Sequence, residues 1–266
     1  MKPETQDLLA LLEKLAPSAL SEGWDNPGLQ VGSLSGKMDK ILLSLDPSLE
    51  AVEEAIRLGA QVLLSHHPLL FRPVAQLNRD IYPGNVITRA LAGSISVVAC
   101  HTNLDAAEGG INDILADLLK LQGVKPLPIA PEGGEKSLGR IGALAGPVTL
   151  GRLSLDVKDL LSAPRLRFVG DSGSLIRTVA VVGGAGGGSI TSAHRMGADV
   201  LVTGDVTHHQ ALGAKQLGLS LIDAGHFCTE KTAFTHFAER LKHSFKANGL
   251  KVEVSIFEEK DPFTYE

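Results

Sequence analysis

Residues 41–67 read ILLSLDPSLEAVEEAIRLGAQVLLSHH, and this stretch contains the pattern that decides the fold. An apolar run at 41–45 is followed by a helical pattern over 49–58 and then by a second apolar run at 62–64. Strand, helix and strand in this order are typical of an α/β protein with a largely parallel sheet. His66 and His67 follow the second run directly, at the end of a predicted strand, where open α/β sheets bind their ligands.

The same alternation continues on both sides of this stretch. Helices and one strand are predicted, in chain order, at 4–15, 86–91, 95–99 (the strand) and 111–119. Between 124 and 177 the chain is richer in Pro and Gly, with short strand candidates and one brief helix near 156–161. We interpret it as a small inserted subdomain. We therefore predict a first α/β half at 1–123, an insert at 124–177 and a second α/β half at 178–266 that packs with the first.

The second half repeats the first. Residues 55–65 (AIRLGAQVLLS) align with residues 193–203 (AHRMGADVLVT), and six of the eleven positions are identical. Further along, the predicted strand before His101 matches an apolar run before His226. A repeat of this kind indicates internal duplication. The predicted fold class is α/β, with a duplicated, three-layer-type core, mixed sheets, two similar halves and the small mid-chain insert.

Composition excludes several classes of protein. The 266 residues are 44% hydrophobic and 21% charged, which is typical of a globular chain rather than a disordered one. No apolar run is long enough to cross a bilayer, and no signal peptide is recognisable, so we expect a cytoplasmic protein without a membrane partner. The formal charge of -5 and the 4% aromatic content disfavour nucleic acid as a partner.

Three clusters of potential metal ligands follow predicted strands. The first is His66 and His67; the second is His101 with Asp105; the third is His226 with Glu230. Imidazole and carboxylate together suit borderline divalent ions such as Zn, Fe, Mn, Co or Ni. Each histidine taken alone is as readily explained as a helix cap or a core hydrogen-bonding group. Three clusters at equivalent places of a duplicated fold favour a metal site.

Other polar features leave alternatives open. The glycine-rich run 183–188 is either a tight strand-to-helix turn, the favoured reading, or an anion-binding loop, although it matches neither the Walker nor the dinucleotide pattern. Asp205, His208 and His209 either line the pocket, as we assign them, or begin a solvated helix. No Gly-x-Ser-x-Gly motif supports serine hydrolysis. Cys100 and Cys228 are expected to pack behind the site.

Five motifs carry a resemblance to a known family. They are, in chain order, WDNPGLQVG at 24–32, SHHP at 65–68, HTNLD at 101–105, TGDVTHH at 203–209 and HFCTE at 226–230. With these motifs, the chain resembles the NGG-one-interacting-factor-three-like proteins, widely labelled GTP cyclohydrolase 1 type 2 homologues. The resemblance extends over nearly the whole chain. It implies two similar halves, a dinuclear metal centre between them and a toroidal homohexamer with a central cavity.

The resemblance also implies roles for single residues. One divalent ion would be held by His67 and Asp105, the other by His66 and His226, and Glu230 would bridge the two. His101 would carry a proton or would support the ligands without binding an ion itself. Longer members of the family carry a larger mid-chain insert than the one available here.

The expected function is metal-dependent hydrolysis of a small nucleotide-like or phosphorylated substrate. For GTP, the reaction would open the purine ring and release formate. The alternative is a non-catalytic, metal-binding regulatory or interaction protein that forms the same ring.

Overall fold

A computed structural model describes residues 2–128 and 137–264. The strands are β1 Gly28–Val31, β2 Lys40–Ser44, β3 Val62–Ser65, β4 Ser96–Ala99, β5 Gln122–Leu127, β6 Gly139–Thr149, β7 Arg167–Val169, β8 Leu175–Val181, β9 Val200–Thr203, β10 Ser220–Asp223 and β11 Glu253–Ile256. The α-helices are α1 Thr5–Leu15, α2 Leu49–Leu58, α3 Gly84–Ala92, α4 Thr102–Ala106, α5 Ile111–Leu118, α6 Leu150–Leu160, α7 Ile190–Arg195, α8 His208–Leu217 and α9 His226–Ala247. None of the helices in these described ranges is both long and apolar enough to span a bilayer.

The chain divides into two compact units. The first comprises Met1–Ala107 and Phe234–Lys260, and its sheet has the strand order β1-β4-β3-β2-β11. Strands β11, β2, β3 and β4 are parallel, and β1 pairs with β4 in the antiparallel sense. All four residues of β3 and of β4 are buried, as expected for strands covered on both faces.

Helix α2 shows why the stretch at 41–67 folds as predicted. The Ser48 side chain caps its N-terminus by accepting a hydrogen bond from the backbone N–H of Ala51. Gly59 ends the helix in the left-handed conformation, with φ of 67°. The face with Ala51, Val52 and Ala55 is fully buried in the hydrophobic core of this unit. The predicted strand–helix–strand element is therefore confirmed.

The second unit comprises Glu108–Ala233 and Asp261–Glu266, and its sheet has the order β5-β6-β8-β9-β10-β7. Strands β8, β9 and β10 are parallel, whereas β5, β6 and β7 are antiparallel to their neighbours. Segment 124–177 contributes most of β5, all of β6 and all of β7 to this sheet. The boundaries at 123/124 and 177/178 were placed where the pattern of strands, helices, Pro and Gly changes along the sequence. They stay a prediction.

The helix in segment 124–177 is longer than the sequence pattern indicated. We expected a brief helix near 156–161, but α6 begins at Leu150 and has 11 residues. The Thr149 side chain starts it by accepting a hydrogen bond from the backbone N–H of Arg152. A capping threonine at the end of a strand was thus the missed signal.

The two sheets share one topology. In each, three parallel strands connected by helices are flanked by an antiparallel edge strand, giving β2-β3-β4-β1 in the first unit and β8-β9-β10-β7 in the second. The aligned segments 55–65 and 193–203 cover the same part of each repeat, from the end of a helix to the end of the middle strand. The predicted α/β class with two mixed sheets is confirmed, and the shared topology is what a duplication would produce.

Candidate metal centre

Three histidines lie together at the strand ends of the first unit. His66 and His67 directly follow β3, and His101 precedes α4, two residues after β4 ends. We call His66, His67 and His101 the histidine cluster. One potential ligand nitrogen from each ring lies within 4.8 Å of the other two. His66 is fully buried and His101 is 8% exposed, so the cluster is largely shielded from bulk water.

Each ring in this cluster is held at Nδ1. The Nδ1 atom of His66 lies 2.9 Å from the carbonyl oxygen of Cys100, and that of His67 lies 2.8 Å from Asp46 Oδ1. The Nδ1 atom of His101 lies 2.9 Å from Asp25 Oδ1. Carbonyl and carboxylate oxygens only accept hydrogen bonds, so Nδ1–H is the donor in each ring. In the neutral imidazole, Nε2 then carries the lone pair, the arrangement seen in histidines that bind metals.

Asp105 adds a carboxylate to the cluster. It lies in α4, one helical turn after His101, and is 8% exposed. Its Oδ1 atom is 3.5 Å from Nε2 of His66. The spacing His101-x-x-x-Asp105 therefore places both side chains at the same end of the sheet, as the sequence predicted.

Asp25 fixes the orientation of His101. Its side chain is fully buried and accepts hydrogen bonds from His101 Nδ1, from the Thr102 backbone N–H at 3.0 Å and from the Thr102 hydroxyl. Burial alone would raise the pKa of this carboxyl, but the hydrogen bonds and the charge of His101 outweigh it and lower the pKa to about 2. Asp25 is therefore a carboxylate at neutral pH, which keeps the proton of His101 on Nδ1.

A second group of candidate ligands lies in the other unit. His226 is the first residue of α9 and Glu230 follows one turn later. The His226 Nδ1 atom is 2.8 Å from Asp205 Oδ2, and its Nε2 atom is 2.9 Å from Glu230 Oε2. We call His226 and Glu230 the His226 pair. With Nδ1 donating to Asp205, a lone pair on Nε2 would face a carboxylate oxygen, an arrangement that needs a proton or a metal cation between them.

The glycine-rich loop donates backbone hydrogen bonds to neighbouring side chains. Three of its backbone N–H groups donate to side chains: Gly183 to Asn112 Oδ1, Gly184 to Thr229 Oγ1 and Gly186 to Thr203 Oγ1. A Cβ atom on Gly184, whose φ is +63°, would lie 2.1 Å from Glu230 Oε1. The interpretation as a tight turn therefore explains this loop, and Gly184 makes room for the carboxylate.

The remaining predicted residues lie outside these groups. His208 and His209 begin α8, are exposed and contact each other ring to ring, and neither belongs to the ligand groups found among the described residues. Cys100 and Cys228 are buried, and burial raises both thiol pKa values, that of Cys100 to about 12. Neither cysteine is a ready thiolate, as expected.

Sequence reasoning missed the carboxylates that hold the rings. Asp25 lies in the quoted WDNPGLQVG motif but was assigned no role, and Asp46 follows β2 without belonging to any motif. Asp46 reaches His67 because β2 and β3 are parallel neighbours that end side by side. A polar residue just past the end of each parallel strand was the available signal.

Comparisons with known proteins agree with the family resemblance of the sequence motifs. A family model described as Duf34/NIF3 (NGG1p interacting factor 3) matches residues 3–262. A Clostridium perfringens protein named GTP cyclohydrolase 1 type 2 homolog is 34% identical over 260 residues, which cover 97% of this chain and 98% of that protein. Two crystal structures match with a TM-score of 0.92 and full coverage of both chains: a Staphylococcus aureus hypothetical protein at 31% identity and a Bacillus cereus protein related to NIF3 at 27%.

Proposed function

The chain belongs to the Duf34/NIF3 family, and on this basis we propose that it is a metal-dependent hydrolase with two divalent ions per protomer. The proposed substrate is a small nucleotide-like or phosphorylated molecule. The model match over residues 3–262 supports the family assignment. The ligand groups described above support the metal, and the names of the relatives suggest the class of reaction.

One observation carries the metal proposal. Four histidines at strand ends, His66, His67, His101 and His226, each have Nδ1 within 2.9 Å of an oxygen acceptor. In three of the four the acceptor is an aspartate. A carboxylate that orients a ring and strengthens its Nε2 as a donor is the typical support of a metal-binding histidine. A histidine with a purely structural role needs no such repeated arrangement.

We assign the ligands by motif position. His67 and Asp105 would hold one ion, His66 and His226 the other, and Glu230 would bridge them. The donor set of imidazoles and carboxylates fits Zn, Fe, Mn, Co or Ni. The burial of His66, Asp105 and Glu230, at 0%, 8% and 4% exposure, supports the assignment because buried ionisable groups are normally paired or bound to metals.

His101 is proposed as the proton carrier. Bound divalent ions supply a nucleophile by lowering the pKa of water, so no strong protein base is needed. The carboxylate of Asp25 keeps a proton on His101 Nδ1, which leaves Nε2 as the atom that accepts and returns a proton. Burial of the histidine cluster excludes bulk water from this exchange.

Elemental analysis tests the metal proposal. We expect about two divalent ions per chain in the wild type after supplementation with Zn, Mn or Fe, and clearly fewer in His67→Ala and Glu230→Ala, because binding depends on the complete ligand set. His243→Ala is the matched control, since His243 is an exposed histidine further along α9. A wild type that stays metal-free would contradict the proposal, as would equal metal content in all four proteins.

Turnover tests the hydrolase proposal. Metal-loaded wild type would be screened with GTP for formate and with other nucleotides and phosphoesters for released products, beside Asp105→Ala. Activity in the wild type that disappears in the variant is the expected result. Full metal content without turnover of any compound would favour the non-catalytic, metal-binding regulatory or interaction protein instead.

We also propose that the protein is a homohexamer, as the resemblance implies, with the metal sites opening towards an internal cavity. Closed rings are a common form of homo-oligomer. Light scattering behind a sizing column should give about six times the protomer mass of 28.0 kDa. A mass near a single protomer would contradict this proposal.

A further inference from the structure

The first unit contains a concave, largely apolar pocket beside His101. Its volume is about 700 Å³, within the range of small-molecule sites in proteins. It is lined chiefly by Trp24, Gln30, Phe71, Arg72, Leu77 and Leu91. Nothing in the metal proposal uses this pocket.

Two aromatic rings form one wall and remain exposed. Trp24, the one tryptophan of the sequence, is 59% exposed, and Phe71 is 48% exposed. Their rings are nearly parallel, at an interplanar angle of 20° and a centroid distance of 6.2 Å. Exposing this much aromatic surface is unfavourable in water, and two aligned rings are a typical platform for stacking a planar ligand.

The platform adjoins the histidine cluster. The His101 ring lies edge-on to both aromatics, with centroid distances of 5.9 Å to Trp24 and 5.5 Å to Phe71. Trp24 is also the neighbour in sequence of Asp25, which fixes His101. A ring stacked on this wall would therefore lie next to the proposed proton carrier.

The polar lining indicates the charge of the ligand. The amide groups of Asn26 and Gln30 bond to each other and to the backbone at Leu70, so they hold the wall together. The carboxylate of Asp25 already accepts hydrogen bonds from His101 and Thr102. Arg72 is exposed and is the one lysine or arginine among the described residues that line the pocket. The pocket thus offers two nearly parallel, exposed aromatic rings and one positive charge.

We propose that this pocket binds the planar heteroaromatic ring of an anionic small molecule, with the ring against Trp24 and Phe71 and the anionic group at Arg72. A nucleoside monophosphate has this chemistry. The inference deepens the proposed function. It rests on that function only in taking the bound ligand to be the substrate. Ring binding itself needs only the residues of the first unit.

The fluorescence of Trp24 reports on this site directly, because no other tryptophan contributes. Guanosine monophosphate is expected to quench this emission saturably in both metal-loaded and chelator-treated protein. Guanosine should bind more weakly, since it lacks the charge for Arg72, and ribose 5-phosphate should give no quenching, since it lacks the ring. Quenching in the metal-free protein separates this inference from the metal proposal.

Variants locate the contacts. Phe71→Ala should weaken guanosine monophosphate binding by roughly tenfold, in the range measured for the loss of one stacking aromatic. Arg72→Gln should weaken guanosine monophosphate several-fold and leave guanosine unchanged. Phe168→Ala is the matched control, because Phe168 is an exposed phenylalanine of the second unit. Trp24→Ala, followed by calorimetry, should lose binding with an unchanged melting temperature.

Two results would overturn the inference. One is metal-loaded wild type that binds its ions but shows no saturable response to either guanosine compound, in which case the metal proposal would survive alone. The other is a Trp24 emission that shifts to the blue with rising protein concentration and ignores nucleotides, which would mean that a second copy of the chain covers the wall.

Discussion

The histidine cluster and the His226 pair lie at strand ends of two similar units but are built differently. In the first unit, imidazoles dominate, and His66 is completely buried. In the second, the side chain of His226 is 33% exposed and the buried group is the carboxylate of Glu230, for which Gly184 leaves room. The same strand-helix arrangement thus carries two different groups of candidate ligands.

The difference follows from what stands at the end of the middle strand in each repeat. After β3 come His66 and His67; after β9 come Gly204 and Asp205. Gly204 is required there because a Cβ atom would lie 2.4 Å from the backbone nitrogen of His226. The first unit places candidate ligands directly after the strand, whereas in the second unit Asp205 lies in that place and holds His226, a candidate ligand at the start of α9. The predictions below examine this contrast, from the largest expected effect to the smallest.

The largest effect is expected from truncating the buried histidine. In metal-free protein, His66→Ala should lower the free energy of unfolding by roughly 3 to 4 kcal/mol, because it leaves a cavity and removes the partner of the Cys100 carbonyl. His226→Ala should cost less than about 1 kcal/mol, since the ring is partly exposed. Urea unfolding in the presence of a chelator measures both. Equal losses would show that the two groups do not differ in their structural role.

The next effect concerns the glycine loop of the second unit. Gly184→Ala should lower the free energy of unfolding by about 2 to 3 kcal/mol and reduce bound metal, because it adds left-handed strain and displaces Glu230. Gly197→Ala is the matched control: its φ is +79°, but no atom lies within 4 Å of its new Cβ. It should cost about 1 kcal/mol and leave metal content unchanged. Thermal unfolding and elemental analysis distinguish the two variants.

Identical outcomes for the two glycine variants would contradict the role given to Gly184. Strain alone would then explain its loss of stability. A decrease in metal content confined to Gly184→Ala would instead show that the loop shapes the His226 pair.

Sequence patterns predicted where the candidate ligand residues lie, because these residues closely follow strands; their role as metal ligands stays a prediction. His66, His67, Asp105, His226 and Glu230 follow apolar runs at spacings that mark the carboxyl edge of a sheet, and the structure places each of them there. The pattern of strand and helix over residues 41–67 was also sufficient for the α/β class. These features are local in sequence, so they can be recognised in a single amino-acid sequence.

Residues that act across the fold were not predictable in this way. Asp25 and His101 are 76 positions apart, and Asp46 and His67 are 21 apart, so each pair depends on which strands become neighbours. Gly184 has to leave space for Glu230 because the glycine-rich loop lies close to α9 in the fold. No local pattern encodes such contacts, so the residues that hold the candidate ligands in place were identified only from the structure.

The third prediction concerns pH and the histidine cluster. The pKa of Asp25 is about 2 in the folded chain, below its usual 3.8, so its stabilisation is complete above pH 3.8 and is lost as the pH falls towards 2. Between about pH 5 and pH 2, metal-free wild type should therefore lose about 2 kcal/mol more than Asp25→Asn, which has no carboxyl to protonate. Urea unfolding at stepped pH measures the difference. Parallel pH curves would contradict the assignment.

The smallest predicted effect is a decrease in metal affinity, and it should be similar in the two units. Asp46 and Asp205 are both about half exposed, at 52% and 50% of the side chain, and each lies 2.8 Å from a histidine Nδ1. Loss of such a support typically weakens metal binding tenfold or more, about 1.4 kcal/mol, without removing a ligand. Asp46→Asn and Asp205→Asn should therefore give similar decreases in affinity in a chelator competition. Asp80→Asn, at an aspartate that is 82% exposed, serves as the control. If only one of the two variants loses affinity, then only that unit relies on a carboxylate to orient its histidine, and the difference between the two ligand groups would extend to their supports.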